Sequence, residues 1–398
     1  MKPECATLDD ALSHSAGMTV ETVAAADLVA ADVALWAALQ AADPLFASPL
    51  LSPWFAMAVG RVRDDASVSI FRRGDRTVGF FAHHRRPGGF GRPIGAPFAD
   101  YHGLVSERGA FDASTDVVGL AGLKVFRHGG LVDPHGVFPV PADAVEAFSI
   151  DLTGTTPDAY LEARRAASPK KFKNYRRLLN RLRELGPLSL RADTDLATFE
   201  TLLRWKRDQF HRTGAQDVLR PAWATRLMRD LFEMRQGPMT GLMLTLRAGD
   251  RLVGGHFGVR QEIDGRAVFH PWIASTDPDL AAFSPGNAFL DQAVRAMPEL
   301  GLSIYDLGVG HDHYKRPFAA SVRRVGAGLQ PAVDGQGVLR RAAEQAWRIG
   351  PLGRSGAVGK VRRRLDHIAT IDTSIAGRML GLVEAAKATR RRALLAED

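Results

Sequence analysis

A single cysteine, Cys5, stands in a chain of 398 residues. One thiol closes no internal disulfide and builds no multi-thiolate metal site, so a reducing compartment is expected. No stretch of about eighteen apolar residues occurs, which leaves no candidate membrane-spanning helix. The first thirty residues lack a charged segment followed by an apolar one, so no secretory signal is expected. Nor does any unit of about 20–50 residues repeat in the sequence. What is present suits a soluble globular protein: 45% hydrophobic and 24% charged residues, with a mean hydropathy of -0.11. A single core stops growing near about 250–300 residues, so the length predicts two packed lobes and a tail. The net charge of +8 is unevenly spread. Residues 1–320 hold 37 of the 52 basic and 37 of the 44 acidic residues, leaving 15 basic against 7 acidic beyond residue 320. The whole excess lies in the tail, which such a charge draws toward anionic lipid head groups, nucleic acid or phosphate-rich ligands.

Helical periodicity over Leu28–Ala42 and after Ser52–Pro53 is followed by strand-like runs at Ser67–Arg72 and Thr77–His83 and a Gly/Pro-rich stretch, Arg86–Pro97. A helix near Asp112–Gly122 and strands near Lys124–Phe126 and Ala147–Asp151 complete a first lobe over residues 1–152. Thr156–Pro157 and Ser168–Pro169 each read as an N-cap followed by proline at the first helical position, giving a basic helical connector over 153–187. Its second helix sets an apolar stripe (Phe172, Tyr175, Leu178, Leu179, Leu182, Leu185) against a basic face (Lys170, Lys171, Lys173, Arg176, Arg177, Arg181, Arg183). That face is either solvated or a contact for phosphates or an acidic surface.

The second lobe, 188–330, reads as strand Leu188–Ala192, helices Leu196–Arg212 and Pro221–Arg235, and strands Gly241–Arg247, Arg251–Arg260 and Ala267–Ser275. Helix Asn287–Leu300 and strand Ser303–Leu307 follow. Residues 331–398 are expected as a basic amphipathic helical tail punctuated by Arg340-Arg341, Arg362-Arg363-Arg364 and Arg390-Arg391-Arg392. The predicted class is α/β (α+β): two lobes with mixed central sheets, plus the helical tail.

The order βααβββαβ, with Gly249-Asp250 at a strand turn and a strand running into a Gly-bearing helix start, resembles the GNAT acyltransferase fold. Trp272-Ile-Ala-Ser-Thr-Asp-Pro-Asp279, Ser284-Pro-Gly-Asn-Ala-Phe-Leu290 and Tyr305-Asp-Leu-Gly-Val-Gly310 with Tyr314-Lys315 look like the CelD/BcsL (BioF2-like acetyltransferase domain) branch, related to FemAB-like tandem GNAT proteins. These features extend over roughly residues 160–320. The resemblance implies two GNAT-like lobes, the second holding the donor site, and acyl-CoA as donor substrate. It also implies a Tyr-Lys pair facing the active site, here Tyr314 and Lys315.

A thioester is already activated, so transfer to an amine needs a neutral amine, a base and donors for the developing oxyanion rather than a covalent nucleophile. Candidate bases are His256, His270, Asp306, His311 and His313. The strand period of two puts His256, Gly258 and Arg260 on one face of their strand, and His270, Trp272 and Ala274 on one face of the next. His256 and His270 are therefore expected to line one cleft. Ser284-Pro285-Gly286 opens a helix with a tight turn whose unpaired N–H groups and dipole favour an anion such as the coenzyme A pyrophosphate. GNAT sequences usually carry a richer glycine motif with a basic residue here. The expected assignment is His256, Asp306, Tyr314 and Lys315 as catalytic groups, Ser284, Gly286, Asn287 and Trp272 on acyl-CoA, and His270 and His311 on the acceptor. His311-Asp-His313 has no third ligand nearby and no cysteine, so no metal is expected. Trp205–His211 reads as part of the first helix of the second lobe, its apolar side covering the sheet and its polar side a candidate contact for the acceptor.

The expected function is acyl-CoA-dependent N-acylation of a cell-envelope precursor. Two acceptor classes follow from the resemblance, an amino sugar of an exopolysaccharide or adhesin and a long-chain sphingoid-type lipid amine. The expected location is cytoplasmic, with the tail on the anionic inner face of the inner membrane. Nucleic acid is not an expected partner in this reading. Two alternatives stand: FemAB-like transfer from aminoacyl-tRNA with the helix at 169–185 on the RNA, and a non-catalytic GNAT-scaffold binding protein.

Overall fold

A computed structural model describes residues 17–138, 143–310, 315–334 and 356–383. Its strands are β1 (Met18–Ala24), β2 (Ala66–Arg73), β3 (Arg76–Arg86), β4 (Phe90–Pro93), β5 (Leu104–Ser106), β6 (Val125–Leu131), β7 (Asp143–Asp151), β8 (Leu188–Ala192), β9 (Met239–Ala248), β10 (Arg251–Ile263), β11 (Arg266–Thr276), β12 (Ile304–Val309) and β13 (Ser321–Pro331). The helices are α1 (Ala30–Ala42), α2 (Pro53–Gly60), α3 (Val117–Leu120), α4 (Pro157–Ala167), α5 (Pro169–Arg183), α6 (Leu196–Thr213), α7 (Ala222–Glu233), α8 (Pro285–Ala296), α9 (Lys315–Phe318) and α10 (Gly356–Ile371), then α11 (375–383). The architecture is the mixed α/β class expected from the sequence. It divides into two compact units. The first takes residues up to Val145, Val218–Leu227 and the chain from Val325 on; the second takes Glu146–Asp217 and Met228–Arg324.

In the first unit the strand order is β1-β2-β3-β4-β6-β13, with β5 on β3. All pairs are antiparallel except β4 with β6, which run parallel at Phe90↔Val125 and Gly91↔Phe126. Strand β4 lies in the Gly/Pro-rich stretch that reads as a loop, because pairing with neighbours overrides weak local propensity in so short a segment. The helix expected over Asp112–Gly122 shrinks to α3. Asp112 Oδ1 accepts from the Ser114 N–H at 2.9 Å in a local turn, and Asp116 instead caps the helix by accepting from Gly119 at 2.9 Å. Phe71, Phe81, Phe111 and Phe126 fill the core beneath.

A polar knot lies within this unit. Asp65 takes two hydrogen bonds from Arg63 at 2.9 and 2.7 Å and a third from Arg86 at 3.0 Å. His84 Nδ1 lies 3.0 Å from Asp65 Oδ1, and its Nε2 accepts from the Gly95 N–H at 2.9 Å. A neutral imidazole protonated on Nδ1 satisfies both contacts. Burial alone would raise the Asp65 carboxyl, but His84 and Arg63 hold it far below the usual carboxylate range. The same unit binds α10. Arg92 donates to Asp366 at 3.0 Å, Trp223 Nε1 to the Ile371 carbonyl at 3.0 Å and Arg86 to the Asp372 carbonyl at 3.1 Å, with Ile368 and Ile371 buried. This part of the tail is docked rather than free. Arg340-Arg341 and Arg390-Arg391-Arg392 lie outside the described residues.

The second unit has the order β7-β12-β11-β10-β9-β8. Helices α4 and α5, expected as a connector between lobes, belong to it and place Tyr160, Leu161, Phe172 and Leu182 in its core. Thr156 caps α4 by accepting from the Ala159 N–H at 3.2 Å, with Pro157 at the first position. Asp195 caps α6 through the Thr198 N–H at 2.8 Å, and Gly214, at φ 62°, closes it in the left-handed conformation.

Buried imidazoles make the first unit acid-sensitive. Burial pushes His83 down to about 4, and burial followed by the charge of Arg63 pushes His84 down to about 4. Unfolded, both return to about 6.5, so between these values the unfolded chain binds more protons. Their stabilising contribution is complete above about pH 6.5 and is lost as the pH falls through about 4. Urea midpoints are expected to decline over that window, with a shallower decline in His83→Leu. A flat profile would show that these rings are not held neutral.

Candidate functional site

Strands β11 and β12 run parallel for only two residue pairs, Val268↔Ile304 and Phe269↔Tyr305. Beyond them β12 follows β7 as far as Val309↔Ala147, while β11 follows β10 as far as Thr276↔Gly254. The two strands therefore fork. The next residue on each is ionisable: His270 Nδ1 and Asp306 Oδ2 lie 3.4 Å apart, both buried. Burial alone would raise the Asp306 carboxyl, yet the His270 imidazole and the Gly308 N–H, at 2.8 Å, hold it below the usual carboxylate range. At the start of α9, Lys315 is buried and its Nζ donates to the Val309 carbonyl at 2.9 Å.

Neighbouring residues on a strand face opposite ways, so Tyr305 points away from Asp306. Its hydroxyl is hydrogen-bonded to His256 Nδ1 at 2.6 Å. Phe289 of α8 stacks on the His256 ring at 4.0 Å, and Phe269 meets Tyr305 edge-on at 5.0 Å. His256 and His270 thus stand on opposite faces of the sheet, contrary to the shared cleft that simple alternation predicts. The cause is a β-bulge. His256 pairs with Ala274 and Phe257 with Ile273, but Gly258 pairs with Pro271, so Trp272 is an extra residue that reverses the parity of β11.

His256 lines a cavity of about 300 Å³ over the far end of β11. One stripe of α6, Trp205, Lys206, Gln209 and Arg212, forms a wall, and Ala274–Pro278, Ala281 and Gly286 form the rest. The helix is seated there by hydrogen bonds from the Ser275 hydroxyl to the Leu202 carbonyl at 2.9 Å and from Lys206 Nζ to the Ala274 carbonyl at 3.2 Å. Gly255 permits that approach, since a Cβ would fall 2.5 Å from the Leu202 side chain. Ser284 turns into α8 at φ 50° without a side-chain cap, its carbonyl accepting from the Asn287 N–H at 3.0 Å. Burial, and after it the charge of Lys206, push His256 down to about 3 and keep the ring neutral.

The cavity gathers His256 and Gly286 of the expected residues, with Ser284 and Asn287 beside Gly286 in the chain. His270, Asp306 and Lys315 sit at the fork, and Trp272 is half-buried at the bulge. His311 and Tyr314 lie outside the described residues. Tyr305 and Phe289 belong to the motifs that carry the family resemblance but have no site role in the sequence reading; strand alternation opposite Asp306 is the signal that points to Tyr305. The spacing 205, 209, 212 would have separated Trp205 and Gln209 from the rest of the 205–211 segment and extended their stripe to Arg212. Among the described residues no group of three His, Cys, Asp or Glu gathers as metal ligands, and no helix is long and apolar enough to cross a membrane.

Residues 169–316 match the sequence profile of the acetyltransferase (GNAT) domain. The chain therefore carries an N-acyltransferase domain of the GNAT type. Among solved structures, FemX is similar at 10% identity over 81% of this chain and 99% of its own, with a TM-score of 0.47. A tandem GNAT protein from the clavulanic acid biosynthesis pathway is similar at 12% identity over 82% and 94%, with a TM-score of 0.40. A GCN5-related N-acetyltransferase from Anabaena variabilis is similar at 9% identity over 78% and 71%, with a TM-score of 0.31. No curated protein matches the chain by sequence.

Removing a buried carboxylate leaves its polar partners, here the His270 ring and the Gly308 N–H, unsatisfied, at a cost of about 1–3 kcal/mol. Asp306→Ala is expected to lower the unfolding free energy by about that amount, read from urea titration. Unaltered stability with lost turnover would instead assign Asp306 to the chemistry.

Proposed function

We propose that the protein transfers an acyl group from acyl-CoA to the amine of a cell-envelope precursor, with His256 as the proton acceptor. The observation that carries this reading is the juxtaposition, in one cavity, of a neutral buried imidazole, the open first turn of α8 at Gly286, and the cations Lys206 and Arg212. The coenzyme A pyrophosphate takes the Ser284–Asn287 turn, where helix N–H groups and dipole favour an anion. The neutral amine attacks the thioester carbonyl, the new N–C bond forms, the C–S bond breaks, and the amine proton passes to His256 Nε2. For Nε2 to accept, Nδ1 carries its proton toward the Tyr305 oxygen. Tyr314 protonates the departing thiolate and Lys315 polarises the acyl carbonyl. Trp272 contacts the donor, and His311 and the His270–Asp306 pair act on the acceptor side.

The branch assigned is CelD/BcsL, and the acceptor classes are an amino sugar of an exopolysaccharide or adhesin and a sphingoid-type lipid amine. Apolar residues exposed on α11, Ile375, Met379 and Leu382, favour a peripheral position on the inner membrane face. A second reading, transfer from aminoacyl-tRNA, draws support from the exposed Lys170, Lys171, Lys173, Arg177 and Arg181 of α5.

Thiol release from acetyl-CoA and palmitoyl-CoA, each with glucosamine and with sphinganine, tests the proposal. Turnover is expected with one donor, and His256→Gln should lower kcat by about 10²–10⁴ at an unchanged melting temperature. Full activity in that variant removes His256 from the mechanism, and ribonuclease-sensitive activity moves the donor to tRNA.

A further inference from the structure

Consecutive residues in the first turn of α8 line two cavities of the second unit. Gly286 lines the one that holds His256, and the next residue, Asn287, lines another of about 250 Å³ between α5 and α8. The floor of this second cavity is aromatic. Tyr175 and Phe318 stack with planes 11° apart, and Phe172 meets each of them edge-on. Its rim is cationic: Arg165, Arg176, Arg183 and Arg295 surround a single acid, Asp291. Arg295 already holds Asp291 at 3.1 Å, and Arg165 approaches it at 3.9 Å. Arg183 reaches only the amide oxygen of Asn180, at 3.2 Å, and Arg176 makes no hydrogen bond or ion pair among the described residues. Asn287 Oδ1 is buried with no hydrogen-bond partner among the described residues.

A half-buried tyrosine ring, Tyr175, backed by the buried Phe318 and Phe172, an unmatched amide acceptor and two guanidinium groups without a carboxylate suit one ligand chemistry, a purine ring bearing a phosphate monoester. The stacking surface takes the ring, the buried oxygen takes an exocyclic amino group, and the guanidinium forks take the phosphate. An ordinary solvated basic face would need neither the aromatic floor nor the buried, unsatisfied oxygen.

We propose that this α5/α8 cleft binds the phosphorylated nucleotide end of the donor, so that one coenzyme A thioester runs from the His256 cavity across Gly286 and Asn287 into the cleft. This rests on the acyl-CoA reading of the first cavity. Arg176 and Arg183, seven positions apart on α5, hold the 3′-phosphate. The helix ahead of the acyltransferase strands thereby selects the donor's nucleotide.

Calorimetric titration of the full chain with coenzyme A, dephospho-coenzyme A and adenosine 3′,5′-bisphosphate tests this. The wild type is expected to bind coenzyme A about tenfold or more tighter than the dephospho form. Arg176→Glu/Arg183→Glu should weaken coenzyme A about tenfold or more, weaken the bisphosphate in parallel and leave the dephospho form within about threefold of the wild type. Both side chains are exposed, and Arg176→Gln/Arg183→Gln repeats the comparison without charge reversal. Wild-type affinity for coenzyme A in both variants overturns the subsite and leaves the donor reading intact. Failure of the wild type to bind coenzyme A or acetyl-CoA overturns both. Loss of bisphosphate binding without loss of coenzyme A binding shows the cleft to be a site for a free nucleotide, and ends the proposal that one donor spans both cavities.

Discussion

Two residue pairs hold β11 to β12, and the geometry of the second unit follows from how early that contact ends. Parallel strands that stay paired would bury His270 and Asp306 in a continuous sheet. Because pairing stops at Phe269 and Tyr305, the backbone separates where the next side chains are ionisable. The buried His270–Asp306 pair sits at that opening, and Lys315 ties its ammonium to the Val309 carbonyl at the end of β12. Charges buried so deeply persist only when partnered, so the fork and the polar groups at it depend on each other. A two-pair parallel contact also joins β4 to β6 in the first unit, an echo of architecture that no repeat in the residues announces.

Much of the fold was legible. The strands and helices of the second unit are bounded in the sequence by residues with fixed conformational roles, such as Asp195 and Gly214 around α6, and amphipathic periodicity does the rest. What escaped was set by neighbours rather than by local preference. Strands β1, β4 and β5 exist because a partner strand completes their hydrogen bonds, and their own residues show no strong alternation. The Asp112–Gly122 segment read as helical because its apolar spacing is right, yet Asp112 found a better use for its carboxylate in a turn.

The site was legible in its parts and not in its assembly. His256 and Gly286 were nameable from strand and helix-start patterns, and they do meet in one cavity. His270 was placed beside His256 because alternation is a rule about regular strands, and one extra residue at Trp272 suspends it. A bulge leaves no reliable mark in a single sequence. The same irregularity frees the His256 face, where Tyr305 and Phe289 close around the ring in place of a second imidazole.

Burial has opposite uses in the two units. In the first, His84 sits between a carboxylate 3.0 Å from Nδ1 and a backbone N–H that donates to Nε2, and neutrality serves stability alone. In the second, His256 has Nδ1 engaged by Tyr305 and lines a cavity, so its other nitrogen is the one available to a substrate. A ring pushed down to about 3 is a weak base toward water. It need not be a strong one here, because an amine that has attacked a thioester becomes far more acidic than the free ammonium. An imidazolium formed at that moment would donate from Nδ1 to the Tyr305 oxygen, a contact at 2.6 Å that is already in place and needs no reorganisation. Lys206 opposes that charge, which favours rapid release of the proton from the ring once the amide has formed. The depressed basicity of His256 thus fits a group that carries a proton across one step rather than one that holds it.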